Sequence, residues 1–206
     1  METPTPLSNV TFQDAINKWF STEGTYHADV VSQYGQLSDW NVSLVTNMSN
    51  AFNGRIMSGT GTGFFTGNQP NESVSNWNTA NVTNMYCMFM AAPYFNGNLK
   101  TIGNMWNTRV VENMNFMFNG ATNFEGNGIN TWNTQAVRFM LGMFSKSRPP
   151  RIFSKPNAQF GGNVNLTTVT NAFRYATLVQ QGTAHKGRTV YVAQAPAAIF
   201  PPRNRF

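Results

Sequence analysis

The 206-residue chain holds one cysteine and two histidines, and only 11% of its residues are charged. The single cysteine, Cys87, excludes an internal disulfide framework, and its slot between Tyr86 and Met88 reads as buried filler. His27 and His185 stand at opposite ends of the chain. No Cys, Asp or Glu recurs beside either at metal-ligand or triad spacing, so no metal, cofactor or catalytic set is expected, and both read as surface histidines. There is no apolar run of about 18 residues, which leaves no transmembrane helix encoded. The opening Met1 to Pro6 lacks the basic and apolar regions of a secretory signal, so synthesis in the cytosol is expected unless a leader precedes the sequence. With charge so scarce, Asn, Thr, Ser and Gln must solvate the surface and satisfy the turns.

Acidic residues are missing altogether from one part of the chain. Residues 126–206 carry ten basic side chains and no acidic one, whereas residues 1–125 carry four basic and eight acidic. A segment so biased can dock on an acidic protein surface, nucleic acid or an anionic membrane, or it can be a solvated tail. The candidate partner-binding residues there are Arg148, Arg151, Lys155, Lys186 and Arg188, then Ile199, Phe200, Arg203, Arg205 and Phe206. Pro196, Pro201 and Pro202 forbid a continuing helix in this stretch, while Ile199, Phe200 and Phe206 supply apolar anchors.

What the chain does have is a repeat. The unit W-N-x-x-x-V-x-x-M-x-x-x-F occurs at Trp40 to Phe52, Trp77 to Phe89, Trp106 to Phe118 and Trp132 to Phe144. Between units, F-x-G-N recurs at Phe65, Phe95, Phe124 and Phe160. A degraded fifth copy spans Val164 to Ala176, keeping Asn165 and Val169 but losing Trp, Met and Phe. Trp-to-Trp spacings of 37, 29 and 26 residues suit units that cannot bury their own apolar faces and must stack on neighbours. The longest insertion, Asn53 to Asn76, then belongs in a loop.

Within a unit the apolar residues of Met85, Met88 and Phe89 fall at i, i+3 and i+4, which predicts one helical turn; Met114, Met117, Phe118 and Met140, Met143, Phe144 repeat it. Val74 to Trp77 and Ile129 to Trp132 are too short for helices and predict short parallel strands. The expected fold class is therefore an α/β repeat solenoid, leucine-rich-repeat-like, of short parallel strands and short helical turns, with an all-β solenoid as the alternative. Ahead of the repeats, Thr11 to Asp14 has a capping-box pattern, and Phe12, Ala15, Ile16, Trp19 and Phe20 form an apolar stripe. That predicts one short helix, ended by Gly24, covering the first copy. Three regions follow: 1–39, an N-terminal helical cap; 40–176, the repeats with their degenerate capping copy; and 177–206, a basic, Pro-containing arm.

The pattern Phe12…Ala15…Trp19…Tyr34-Gly35…Asp39-Trp40-Asn41-Val42-Ser43…Val45-Thr46-Asn47-Met48, followed by W-N-T-x-x-V-x-N-M-x-x-M-F, resembles the surface-protein repeat family of about 26 residues. This is the BspA-type repeat of bacterial surface lipoproteins, found also in protists and in large DNA viruses of algae. The resemblance covers about residues 12–176 and implies a leucine-rich-repeat-like solenoid used for interaction, with no enzymatic activity and no catalytic residues.

Other motifs add no chemistry. Asp29 and Asp39 read as turn residues, and Gly59 to Gly63 lacks the Lys and the preceding strand of a phosphate-binding loop. Six N-x-[ST] sequons, at Asn9, Asn41, Asn47, Asn71, Asn81 and Asn165, fall largely on the repeat pattern, which would produce them. Three function classes remain. The leading one is a non-enzymatic scaffold making contacts with other protein subunits in an assembly, such as a minor capsid protein within a virion. A cell-surface adhesin or ligand-binding module comes second. An ice- or glycan-binding face is third, and its column Thr46, Thr83, Glu112, Arg138, Thr170 is broken twice. No small-molecule substrate is expected.

Overall fold

The computed structural model describes residues 5–56, 65–67, 72–101, 106–126, 128–134 and 136–144. Helix α1 runs Asn9–Trp19 and helix α2 runs Tyr26–Tyr34. The cap of α1 is Ser8, three residues ahead of the expected Thr11. Ser8 Oγ accepts from the Thr11 amide at 3.2 Å, and Thr11 Oγ1 accepts from the Ser8 amide at 2.8 Å, so Thr11 is the reciprocal partner in the box. Asp14 pairs instead with Lys18 one turn on, at 2.7 Å. Phe12, Ala15, Ile16 and Trp19 are buried along one face, as their spacing predicts.

Helix α2 has no counterpart in the sequence reading, because only Val30 and Tyr34 of its nine residues are buried and its apolar stripe is correspondingly thin. Tertiary contacts hold it. The His27 ring lies edge-on to Trp19 at 4.4 Å between centroids, its Nδ1 lies 2.9 Å from the Trp19 carbonyl oxygen, and Thr25 Oγ1 donates to Asp29 at 2.8 Å.

Successive copies of the repeat lie side by side in chain order. Single-residue parallel bridges join Asn47 to Asn84, Asn84 to Asn113, and Asn113 to Phe139. From each bridge a ladder continues: the amides of Met48, Asn50, Phe52 and Gly54 donate to the carbonyls of Asn84, Tyr86, Met88 and Met90. Met85, Cys87, Phe89 and Ala91 donate likewise to Asn113, Asn115, Met117 and Asn119, and the next copy follows the same register. Intervening amides close tight turns within their own copy, as Ala51 does on Met48 and Met88 on Met85. Every second amide thus reaches the next copy, and the others pair locally.

This geometry replaces the expected helical turn. Position Met+2 is left-handed in all four copies, at Asn50 (φ 59°), Cys87 (φ 53°), Phe116 (φ 56°) and Gly142 (φ 59°), which no α-helix permits. The i, i+3, i+4 spacing is shared by a helical turn and by consecutive β-turns, so periodicity alone could not separate them. The expected strands also differ. Trp77 closes a turn on the Val74 carbonyl at 3.2 Å, and Ile129–Thr131 is a 3₁₀ turn. Among the described residues no strand is longer than a bridge.

Side chains on the inner side stack as the backbones do. Phe52, Phe89, Phe118 and Phe144 form one column, with centroids 5.2, 5.5 and 5.7 Å apart and planes within 8° of parallel. Phe65, Phe95 and Phe124 of the F-x-G-N segments form a second column at 5.6 Å spacing, leaning on the first. Gly67 and Gly97 make this possible, since a Cβ on either would come within 2.5 or 2.8 Å of the Phe95 ring. The Trp, Met and Phe columns are buried throughout, as are Val45, Val82 and Val111, while Val137 is partly buried. Helix α1 and Phe20 just after it pack on the first copy and reach the second: Phe20 meets Phe52 and Phe65, Trp19 meets Trp40, and Phe12 meets Trp77.

Candidate interaction surfaces

All ten sequence-nominated partner residues, from Arg148 to Phe206, lie outside the described residues, as do His185, the fifth copy and the Gly59 to Gly63 stretch. Among the described residues, no three His, Cys, Asp or Glu side chains group closely enough to hold a metal ion, and no helix is long and apolar enough to cross a membrane.

Three of the described titratable side chains, His27, Cys87 and Glu72, are committed to the fold. His27 is half-buried against Trp19 rather than at the surface, because its ring completes the packing of α2 on α1. Cys87 is buried, and burial pushes its thiol above the ordinary range, with Tyr86 pulling the other way. Glu72 is buried at 1% exposure, and among the described residues neither carboxylate oxygen has a hydrogen-bonding partner of good geometry. Burial raises its pKa above the ordinary 4.5, and the Thr66 backbone offsets part of that rise.

The start of the ladder is closed by a side chain. In later copies, the amides of Thr83 and Asn84 share the Thr46 carbonyl, and those of Glu112 and Asn113 share the Thr83 carbonyl. The first copy has no predecessor. Asn9 Oδ1 takes the carbonyl's place, accepting from the Thr46 amide at 2.9 Å and the Asn47 amide at 3.1 Å, while its Nδ2 donates to Thr46 Oγ1 at 2.9 Å. Asn9 stood in the sequence only as a sequon; its role was not legible there.

A cavity of about 410 Å³ opens across the second, third and fourth copies. Asn78 and Asn107, the residues after consecutive repeat Trp side chains, line it together with Trp106, Arg109, Thr101 and Thr131. Asn78 Oδ1 accepts from the Ala80 amide at 3.2 Å and Asn107 Oδ1 from the Arg109 amide at 2.9 Å. Thr101 Oγ1 donates to the Thr131 carbonyl, and Thr131 Oγ1 to that of Gly128. Trp106 departs from its column: Trp40, Trp77 and Trp132 each donate from Nε1 to a backbone carbonyl, at 3.2, 2.8 and 2.7 Å, whereas the buried Trp106 Nε1 has no partner among the described residues.

The repeats, bonded copy to copy, make this a tandem-repeat protein. The chain belongs to the family described as "Mycoplasma protein of unknown function, DUF285", whose profile matches residues 20–148 and again 62–186. Neither the curated proteins nor the solved structures contain a match to this chain.

Proposed function

We propose that the protein is a non-enzymatic scaffold, a repeat solenoid of the leucine-rich-repeat-like kind built on the surface-protein repeat of about 26 residues. Its acid-free C-terminal arm holds it to other protein subunits of a larger assembly, as a minor capsid protein of a large DNA virus would be held. The observation that carries this reading is the backbone hydrogen-bond ladder that joins four successive copies, with a column of four Phe rings and a second of three running beside it. Each copy is bonded along its length to the next, so the body resists bending and suits a spacer or strut better than a site that must open and close. The test is removal of residues 177–206, followed by thermal unfolding and recovery of the protein with purified particles. The repeats are expected to melt nearly as in the full chain while incorporation is lost; normal incorporation would remove the anchoring role.

A cell-surface adhesin or ligand-binding module is the second reading. The family description names Mycoplasma, a bacterial source, which favours it. Protease shaving of intact source cells separates the two: release of repeat peptides into the medium places the chain at a surface, and protection places it inside.

A further inference from the structure

We propose that the cavity across copies two to four binds a monosaccharide carrying a phosphate or carboxylate. Its polar lining sets fixed amide donors and a guanidinium beside two hydroxyl oxygens. Asn78 and Asn107 each turn Oδ1 to a backbone amide, which orients the side chain and leaves Nδ2 as the group it can offer. The Thr101 and Thr131 hydroxyl hydrogens are already spent on carbonyls, which leaves their oxygens to accept from a sugar hydroxyl. Arg109 is exposed, and the ion pairs among the described residues, Lys18 with Asp14 and Arg138 with Glu112, do not involve it. Among the described residues no carboxylate lines the cavity. A guanidinium beside two amide donors suits a carboxylate or phosphate oxygen and repels a cation.

Size narrows the class further. About 410 Å³ exceeds what a bare ion fills and falls in the usual range of about 300–1,000 Å³ for small organic ligands. The lining comes from consecutive repeats, so the site exists only where the copies are stacked in register. A scaffold could lack it and still assemble, so the inference stands apart from the scaffold reading.

The experiment is titration of the full chain with glucose 6-phosphate, glucuronate, glucose and inorganic phosphate, followed by calorimetry and by nitrogen–proton correlation spectra. Saturable binding of either charged sugar is expected, moving the side-chain amides of Asn78 and Asn107 and the Trp106 indole, with glucose inert. Arg109→Met should weaken binding about tenfold or more through loss of a charge-assisted contact. Asn107→Asp keeps the acceptor for the Arg109 amide but replaces the donor with an oxygen, and should abolish binding in a folded protein. No saturable shift with either charged sugar, undiminished binding by Arg109→Met, or inorganic phosphate binding as tightly as glucose 6-phosphate would each overturn the proposal.

Discussion

Asn9 does the work of a missing backbone carbonyl, and the consequence is measurable. Asn9→Leu leaves the Thr46 and Asn47 amides to water and should cost about 1 kcal/mol, the usual net worth of such bonds at an exposed site. Asn9→Asp retains the acceptor and should stay within a few tenths of wild type; equal losses for both in urea unfolding would remove the capping role. Glu72 makes the opposite contribution. Its folded pKa lies above the unfolded value near 4.5, so its favourable share of stability is present below that value and is lost as pH rises through the folded one. Glu72→Gln should therefore stabilise the protein at pH 7 and change little near pH 4. A variant tracking wild type at both pH values would mean the carboxyl is solvated.

The repeat turns are held by alternation: one amide closes a turn and the next crosses to the neighbouring copy. A side chain in the aromatic column is thus gripped from both sides. Phe118 lies between Phe89 and Phe144 and against Phe124, so Phe118→Ala should cost about 3–5 kcal/mol, because a ladder tied on both sides cannot collapse into the cavity. A change below about 0.5 kcal/mol would place that column at the surface. Gly97→Ala tests the second column from the other direction. A new Cβ 2.8 Å from the Phe95 ring must push it aside, with an expected loss of about 1–3 kcal/mol in denaturant unfolding. Stability unchanged there would show that Phe95 has room to move.

Taken together, the four copies lie side by side in chain order, and α1 packs on the first of them. Deleting residues 1–23 uncovers Phe52, Trp40 and Trp77, and leaves the Thr46 and Asn47 amides without their acceptor. An apolar end with open ladder positions is a template for another chain. The truncated protein should self-associate, seen as a shift to larger species in size-exclusion chromatography with light scattering. A stable monomer would mean that α1 is an accessory rather than a cap.

The Trp, Val, Met and Phe columns were readable from residue order because a translational repeat places equivalent residues above one another whatever the local backbone does. The α1 stripe was readable because four apolar side chains at helical spacing leave few other ways to bury them. The backbone path of each turn was not. Met, Met and Phe at i, i+3 and i+4 satisfy both a helical turn and a β-turn pair, and the choice fell to the hydrogen bonds each copy makes with the next. The same holds for α2, for Asn9 and for the cavity beside Arg109. Each depends on groups about 8 to 40 residues apart in the chain, such as His27 with Trp19 or Asn9 with Thr46, and such pairings have no local signature. Sequence periodicity determined which side chains face inward; contact between copies decided the path of the backbone that carries them.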